Sequence, residues 1–137
     1  MKYIKTFEQQ EDKSKIIKLN LSDRNLTKLP DLSEYINLKE LYCGYNNLTS
    51  LPELPESLEY LYCSYNNLTS LSKLPNSLRL LYCKNNNLTS LPELPKSLTT
   101  LICENNNLPY DNLVEYKEWK KDPEAWEAKK LSKKYNL

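Results

Sequence analysis

The sequence predicts an α/β solenoid: a short right-handed coil with a parallel β-sheet on its concave side, an extended or 3-10 convex side, and a helical cap at the C-terminal end. Three observations carry that prediction. The segments 38–57, 58–77, 78–97 and 98–112 repeat one apolar pattern with a period of 20 residues and no gap. A degenerate copy at 16–37, two residues longer, precedes them. The chain has one Gly and eight Pro, so Asn and Pro rather than glycine turns must shape its bends. Repeats of this kind bury their apolar side by stacking on one another. The expected organisation is an N-terminal cap over 1–15, five repeats over 16–112 and a C-terminal helical cap over 113–137.

Each part of a copy has a physical reading. In the copy that begins at Leu58, the stretch Leu61-Tyr62-Cys63 alternates inward apolar with outward variable positions, the pattern of a short strand. Asn66 falls where the chain turns off that strand. Its side chain can satisfy backbone groups in the turn, as can the same Asn of the next coil. Leu68, Leu71 and Leu74 point back to the core from the return arm. Pro55, Pro75 and Pro95 hold that arm extended instead of helical. Pro52 and Pro92 reinforce this in two copies, while the copy between them has Ser72. In the first copy Arg24 stands at the turn-Asn position and Leu21 at the Cys position.

These residues carry a resemblance. The runs Leu-Pro-Glu-Leu-Pro-x-Ser-Leu at 51–58 and 91–98 resemble the 20-residue leucine-rich-repeat class of enterobacterial secreted effectors. The Tyr-Cys copies also resemble those of giant-virus and phage-encoded repeat proteins. The resemblance covers about 70% of the chain. It implies a leucine-rich-repeat solenoid of viral or pathogen type that serves as a binding scaffold. Some effectors of that class carry a ubiquitin-ligase domain after the repeats. Only about 25 residues follow the repeats here, with no cysteine after Cys103, so that activity is not expected.

A solenoid exposes core at both ends and needs caps. Residues 1–15, with Tyr3, Ile4 and Phe7, are expected to lay a strand or short helix over the first coil. At the other end Asp111 reads as the N-cap of a helix through about Lys121, with an apolar stripe of Leu113, Tyr116 and Trp119. Asp122-Pro123 reads as N-cap and first residue of a second helix with apolar positions Trp126, Ala128 and Leu131. Lys129, Lys130, Lys133 and Lys134 compensate the dipole at its end or form a site for an acidic partner or membrane surface. Trp119 and Trp126 read as end-cap core, with a ligand platform as the alternative.

The bulk composition narrows the function. Nineteen basic and 18 acidic residues give a net charge of +1, which offers no long-range field for nucleic acid or a membrane. No apolar stretch approaches a membrane span and the N-terminus lacks a signal-peptide core, so a cytoplasmic setting is expected. There is no His, no glycine-rich phosphate loop and no nucleophile with a base in view, so neither an enzyme nor a cofactor is expected. Cys43, Cys63, Cys83 and Cys103 recur at one repeat position. Residues at one position form a nearly straight ladder about 4.8 Å per rung, which cannot surround a tetrahedral zinc. They read as buried free thiols. Disulfides between adjacent rungs remain open, because that spacing lies within the permitted range.

The outward strand positions remain as the place for function. Along the rungs they read Glu40, Tyr60, Leu80, Thr100; then Tyr42, Tyr62, Tyr82, Ile102; then Gly44, Ser64, Lys84, Glu104; with Tyr45, Tyr65, Asn85 and Asn105 at the strand exits. Six of the 11 Tyr fall in this patch, and no core packing demands them there. Tyr combines apolar area with a polar tip at little entropy cost, which suits recognition of a protein. Tyr42, Tyr45, Tyr60, Tyr62, Tyr65, Leu80, Tyr82, Lys84 and Ile102 are therefore the candidate partner-binding residues, with Glu40, Glu59, Arg79 and Lys84 near the rim. Tyr stacking that merely stabilises the sheet is the competing explanation. Self-association through the Tyr face, a strand edge or the caps is a second reading, and stacking of a sugar or base on Tyr42, Tyr62 or Tyr82 a third.

Overall fold

The computed structural model describes residues 11–137. Strands β1 (Lys18–Asn20), β2 (Glu40–Tyr42), β3 (Tyr60–Tyr62), β4 (Leu80–Tyr82) and β5 (Thr100–Ile102) form one parallel sheet in sequence order. Register follows the repeat: Leu41 lies opposite Leu61, Leu61 opposite Leu81 and Leu81 opposite Leu101. The degenerate first copy keeps that register, with Leu19 opposite Leu41. Its two extra residues are absorbed in the return arm, where two turns close from Tyr35 to Leu32 and from Leu38 to Tyr35. Each strand is three residues long, with a buried central Leu in β2 to β5 and half-buried neighbours on the outer face.

The core is a set of columns. Leu38, Leu58 and Leu78, then Leu41, Leu61 and Leu81, then Leu48, Leu68 and Leu88 are fully buried. Each such Leu contributes about 1.5–3 kcal/mol of burial free energy. The four cysteines are free and buried in the same core. On the return arm the backbone is extended, with one turn per coil in which Leu58, Leu78 and Leu98 donate to the carbonyls of Pro55, Pro75 and Pro95. No helix occupies the arms among the described residues.

Two side-chain ladders tie coil to coil. Asn66 Nδ2 donates to the carbonyls of Cys43 at 3.0 Å and Cys63 at 3.1 Å, while its Oδ1 accepts from Leu48 N at 3.0 Å. Asn86 and Asn106 repeat the pattern one and two coils on. Asn46 reaches back to the first coil, where it accepts from both Arg24 N and Leu26 N. The second ladder is Ser57, Ser77 and Ser97, whose hydroxyls donate to the carbonyls of Leu38, Leu58 and Leu78 at 2.6–2.7 Å. The identity of Ser at that position in three copies was the visible sign of it.

At the C-terminal end the chain folds back along β5. Cys103 N donates to Asp111 O, and Ile102 forms an antiparallel bridge with Asn112. Helices α1 (Leu113–Lys121) and α2 (Pro123–Tyr135) follow. The N-cap of α1 is Asn112, not Asp111: Asn112 Oδ1 accepts from Glu115 N, and Glu115 accepts from Asp111 N. The backbone of Asp111 is committed to the edge of β5, so the helix begins one residue later. Asp122 caps α2 as expected, with Pro123 in its first turn. The expected stripe of α2 is only partly correct. Trp126 is buried, but Ala128 is exposed and Leu131 is 52% exposed. Trp126 Nε1 donates to Pro109 O at 2.6 Å and Lys130 Nζ donates to the same oxygen at 3.0 Å, and this docking fixes the helix rotation. At about 100° per residue, Ala128, Leu131 and Tyr135 then fall opposite Trp126.

Trp119 packs against the end-cap core, where Tyr110, Tyr116 and Trp119 lie ring on ring at 5.0–5.9 Å, and Trp126 is buried. At the N-terminal end a 3-10 turn at Lys13–Lys15 is capped by Asp12, and Asn37 Nδ2 donates to Ser14 O. The capping residues expected at Tyr3, Ile4 and Phe7 lie outside the described residues. No described helix is long and apolar enough to cross a membrane.

Candidate functional site

The parallel register sets like positions side by side on the outer face. Tyr42 pairs with Tyr62, Tyr62 with Tyr82 and Tyr82 with Ile102; Tyr60 lies between Glu40 and Leu80. The Tyr42 and Tyr62 rings stack at 4.3 Å and 5°, and Tyr82 meets Tyr62 edge-on at 5.2 Å. A second stack, Tyr45 on Tyr65 at 4.5 Å and 9°, runs along the strand exits. Each stack carries a cation: Lys18 Nζ lies 4.8 Å from the Tyr42 centroid and Lys84 Nζ 5.5 Å from that of Tyr65. Lys18 sits in the first coil at the position of Glu40 and Tyr60, a column that sequence reasoning began one copy too late.

The exit stack has an unusual backbone. Asp23, Tyr45, Tyr65, Asn85 and Asn105 occupy the same repeat position, all with φ between 55° and 59°. Asp and Asn tolerate this left-handed region; a bulky residue there is strained. At two coils Tyr takes this position, directly before Asn46 and Asn66, whose side chains satisfy the turn as expected. The alternation of Asp, Tyr, Tyr, Asn and Asn down one column was the legible signal.

Between the two stacks each rung contributes a small residue, Gly44 and then Ser64. Gly44 is buried, and a Cβ there would meet the Ser64 carbonyl oxygen at 2.9 Å. Ser64 Oγ is buried and makes no hydrogen bond. Lys84 takes the position on the next rung. The position between the two stacks is thus small at β2 and β3 and carries a lysine at β4.

The electrostatics are local. Lys18 pairs with Glu40 at 3.9 Å and Lys39 with Glu59 at 3.5 Å. Burial and the neighbouring Tyr42 hydroxyl push the Tyr62 phenol up to about 12, so Tyr62 keeps its hydroxyl proton at neutral pH. The stacks bear on ligand type. An aromatic ligand inserted between two rings needs each contact at about 3.5–4 Å, hence a gap near 7 Å. Tyr42 and Tyr62 are already in contact at 4.3 Å, so no ligand ring fits between those two.

Comparison with known proteins agrees with this architecture. The family model "Leucine Rich repeats (2 copies)" matches residues 56–96, and "Leucine Rich Repeat" matches 37–58. The chain carries leucine-rich repeats, and they resemble those of enterobacterial effectors. YopM from Yersinia enterocolitica WA-314 is 42% identical with a TM-score of 0.64, over 66% of this chain and 20% of that one. A Shigella effector leucine-rich-repeat domain is 37% identical, TM-score 0.63, over 75% of this chain and 44% of that one. YopM of Yersinia pestis, a leucine-rich effector protein, is 41% identical, TM-score 0.63, over 67% of this chain and 26% of that one. The chain thus spans less than half the length of each of these structures. None of the curated proteins matches it.

Proposed function

We propose that the chain is a non-catalytic protein-interaction module which captures a protein partner on its tyrosine face, in a cytoplasmic setting such as an effector-like protein would meet. One observation carries the reading. The fold fills the left-handed exit position with Asp or Asn in three coils but with Tyr45 and Tyr65 in two. Those two tyrosines take a backbone conformation that costs about 1–2 kcal/mol and that Asn adopts more readily. Strain kept at a surface position points to use. Residues 113–137 act as a cap in this reading, not as a second functional domain.

The test replaces both residues with what the next coils use. Tyr45→Asn/Tyr65→Asn is expected to fold and to lose partner capture, as are Tyr62→Ala and Tyr82→Ala. A convex-face control, Glu53→Ala/Glu93→Ala, keeps capture. Equal recovery of every bound protein by wild type and the double variant would refute the tyrosine face. Self-association is favoured by a different observation, the outward Leu131 at 52% and Tyr135 at 59% exposure on α2. Light scattering over a concentration series separates the two, since a monomer at every concentration rules out that second reading.

A further inference from the structure

We infer that the column Asn25, Asn47, Asn67 and Asn87, two residues past the strand-exit column, is an acceptor face for N-linked sugar. The inference is independent of the tyrosine face. The co-substrate class is an activated sugar whose anomeric carbon carries a phosphate leaving group.

The first argument is the tripeptide. Asn25-Leu26-Thr27, Asn47-Leu48-Thr49, Asn67-Leu68-Thr69 and Asn87-Leu88-Thr89 all read Asn-x-Thr with x other than Pro, the pattern of an N-glycosylation acceptor. The repeat sets them at one position on four successive coils.

The second argument is presentation. In an extended chain, residues i and i+2 share a face. Asn47 and Thr49, Asn67 and Thr69, and Asn87 and Thr89 are exposed, while Leu48, Leu68 and Leu88 between them are fully buried. Burying the Leu therefore holds the amide and the hydroxyl outward together. Asn25 and Thr27 are exposed as well.

The third argument is that the scaffold does not use these side chains. The preceding Asn46, Asn66 and Asn86 are buried and bonded to backbone groups of two coils. Asn47, Asn67 and Asn87 use only their backbone N, which donates to the carbonyls of Leu26, Leu48 and Leu68 at 2.8 Å. Among the described residues their side chains, and the hydroxyls of Thr49, Thr69 and Thr89, make no hydrogen bond. Other exposed positions differ between copies, as Glu53, Lys73 and Glu93 do, and Glu56, Asn76 and Lys96. The Asn and the Thr stay the same in all four. Asn107 is the internal contrast: it is exposed at the same position, but Leu108-Pro109 follows it and supplies no hydroxyl. Asn20-Leu21-Ser22 also fits the tripeptide but stands outside the column, with Asn20 Oδ1 accepting from Ser22 N at 3.0 Å.

The step joins Asn Nδ2 to the anomeric carbon as the bond from that carbon to the phosphate oxygen breaks. One amide proton passes to a base of the glycosyltransferase, and the phosphate leaves with the bonding pair. In the cytoplasmic setting proposed above the donor is a nucleoside-diphosphate hexose. A lipid-linked oligosaccharide at a membrane is the other source of the same chemistry.

The experiment incubates the folded full chain with UDP-glucose and a soluble Asn-directed glucosyltransferase. A parallel arm uses membranes that carry a lipid-linked oligosaccharide and its transferase. Intact mass and peptide mapping read the sites. The first arm is expected to add one hexose at Asn25, Asn47, Asn67 and Asn87 and none at Asn107. Thr49→Val, Thr69→Val and Thr89→Val, each at an exposed position, are expected to lose the sugar on the Asn two residues before while the urea midpoint stays in place. Transfer to the urea-unfolded chain and not to the folded one would overturn the inference. So would equal modification of Asn107, modification confined to Asn20, or no transfer in either arm. Transfer in the membrane arm alone would support the acceptor column and overturn the nucleotide donor.

Discussion

Tyr65 occupies a left-handed backbone position that the same fold fills with Asn85 and Asn105 one and two coils later. Two terms of similar size act on it. The conformation costs a bulky residue about 1–2 kcal/mol, and an aromatic pair such as Tyr45–Tyr65 returns about 0.5–1.5 kcal/mol. Tyr65→Asn is therefore expected to change the unfolding free energy by less than about 1 kcal/mol, measured by urea denaturation. A loss of several kcal/mol would mean that the stack is structural and that the tyrosines are explained without a partner. The column was readable in the sequence, because period alone places 45, 65, 85 and 105 together. Its φ was not, since Asn and Tyr at one position do not reveal a shared backbone until the turn is seen. Gly44 is similar: it was visible as a variant of Ser64 and Lys84, but its approach to the Ser64 carbonyl belongs to packing.

The strand ladder and the last helix differ in how firmly they are held. Burial pushes Cys43 and Cys103 up to about 12, and Cys63 and Cys83 upward by the same cause. Unfolded thiols ionise from about 8.5. A folded-state value above the unfolded one means stability that is complete below about pH 8.5 and is lost as pH rises toward 12. The urea midpoint is expected to be level near neutrality and to fall steadily above about pH 9. Four thiols are expected to react only after denaturation, without reductant. Thiols that react in the native protein, or a level midpoint at high pH, would contradict the ladder. Helix α2 contrasts with this. Trp126 is its single buried residue, tied by its indole to Pro109 O. Trp126→Ala is expected to remove hydrogen-exchange protection from the amides of α2 while those of Leu41, Leu61 and Leu81 keep theirs. Equal loss in both places would make α2 part of the cooperative core. The existence and cap of α2 were legible from Asp122-Pro123. Its rotation was not, because one hydrogen bond to Pro109 decides it and the apolar pattern does not.

At the scale of the whole molecule, the fold was legible because repetition turns one local pattern into five consistent observations. The Leu, Cys and Asn columns each met their expected neighbours for that reason. The candidate face was legible as a set of positions, but the rings could have splayed apart or closed on one another, and the sequence pattern contains no term that decides between these. The same repetition makes a strong prediction. Each coil contacts only its neighbours, so stability is close to a sum of coil and interface contributions. A second copy of residues 58–77 inserted after Ser77 recreates junctions the protein already has: Ser77 before a coil that begins with Leu, Asn66 reaching the carbonyl of the preceding Cys, and Ser77 donating to the Leu58 carbonyl. The extended protein is expected to unfold in one transition with a higher urea midpoint and a denaturant slope larger by roughly one seventh, as 20 residues are added to a chain of 137. A lower midpoint, or a separate early transition, would show that the ends govern stability and that coils are not interchangeable. The inserted coil also repeats Tyr60, Tyr62, Ser64 and Tyr65, which lengthens the tyrosine face by one rung, so capture of the same partner should persist on the extended protein.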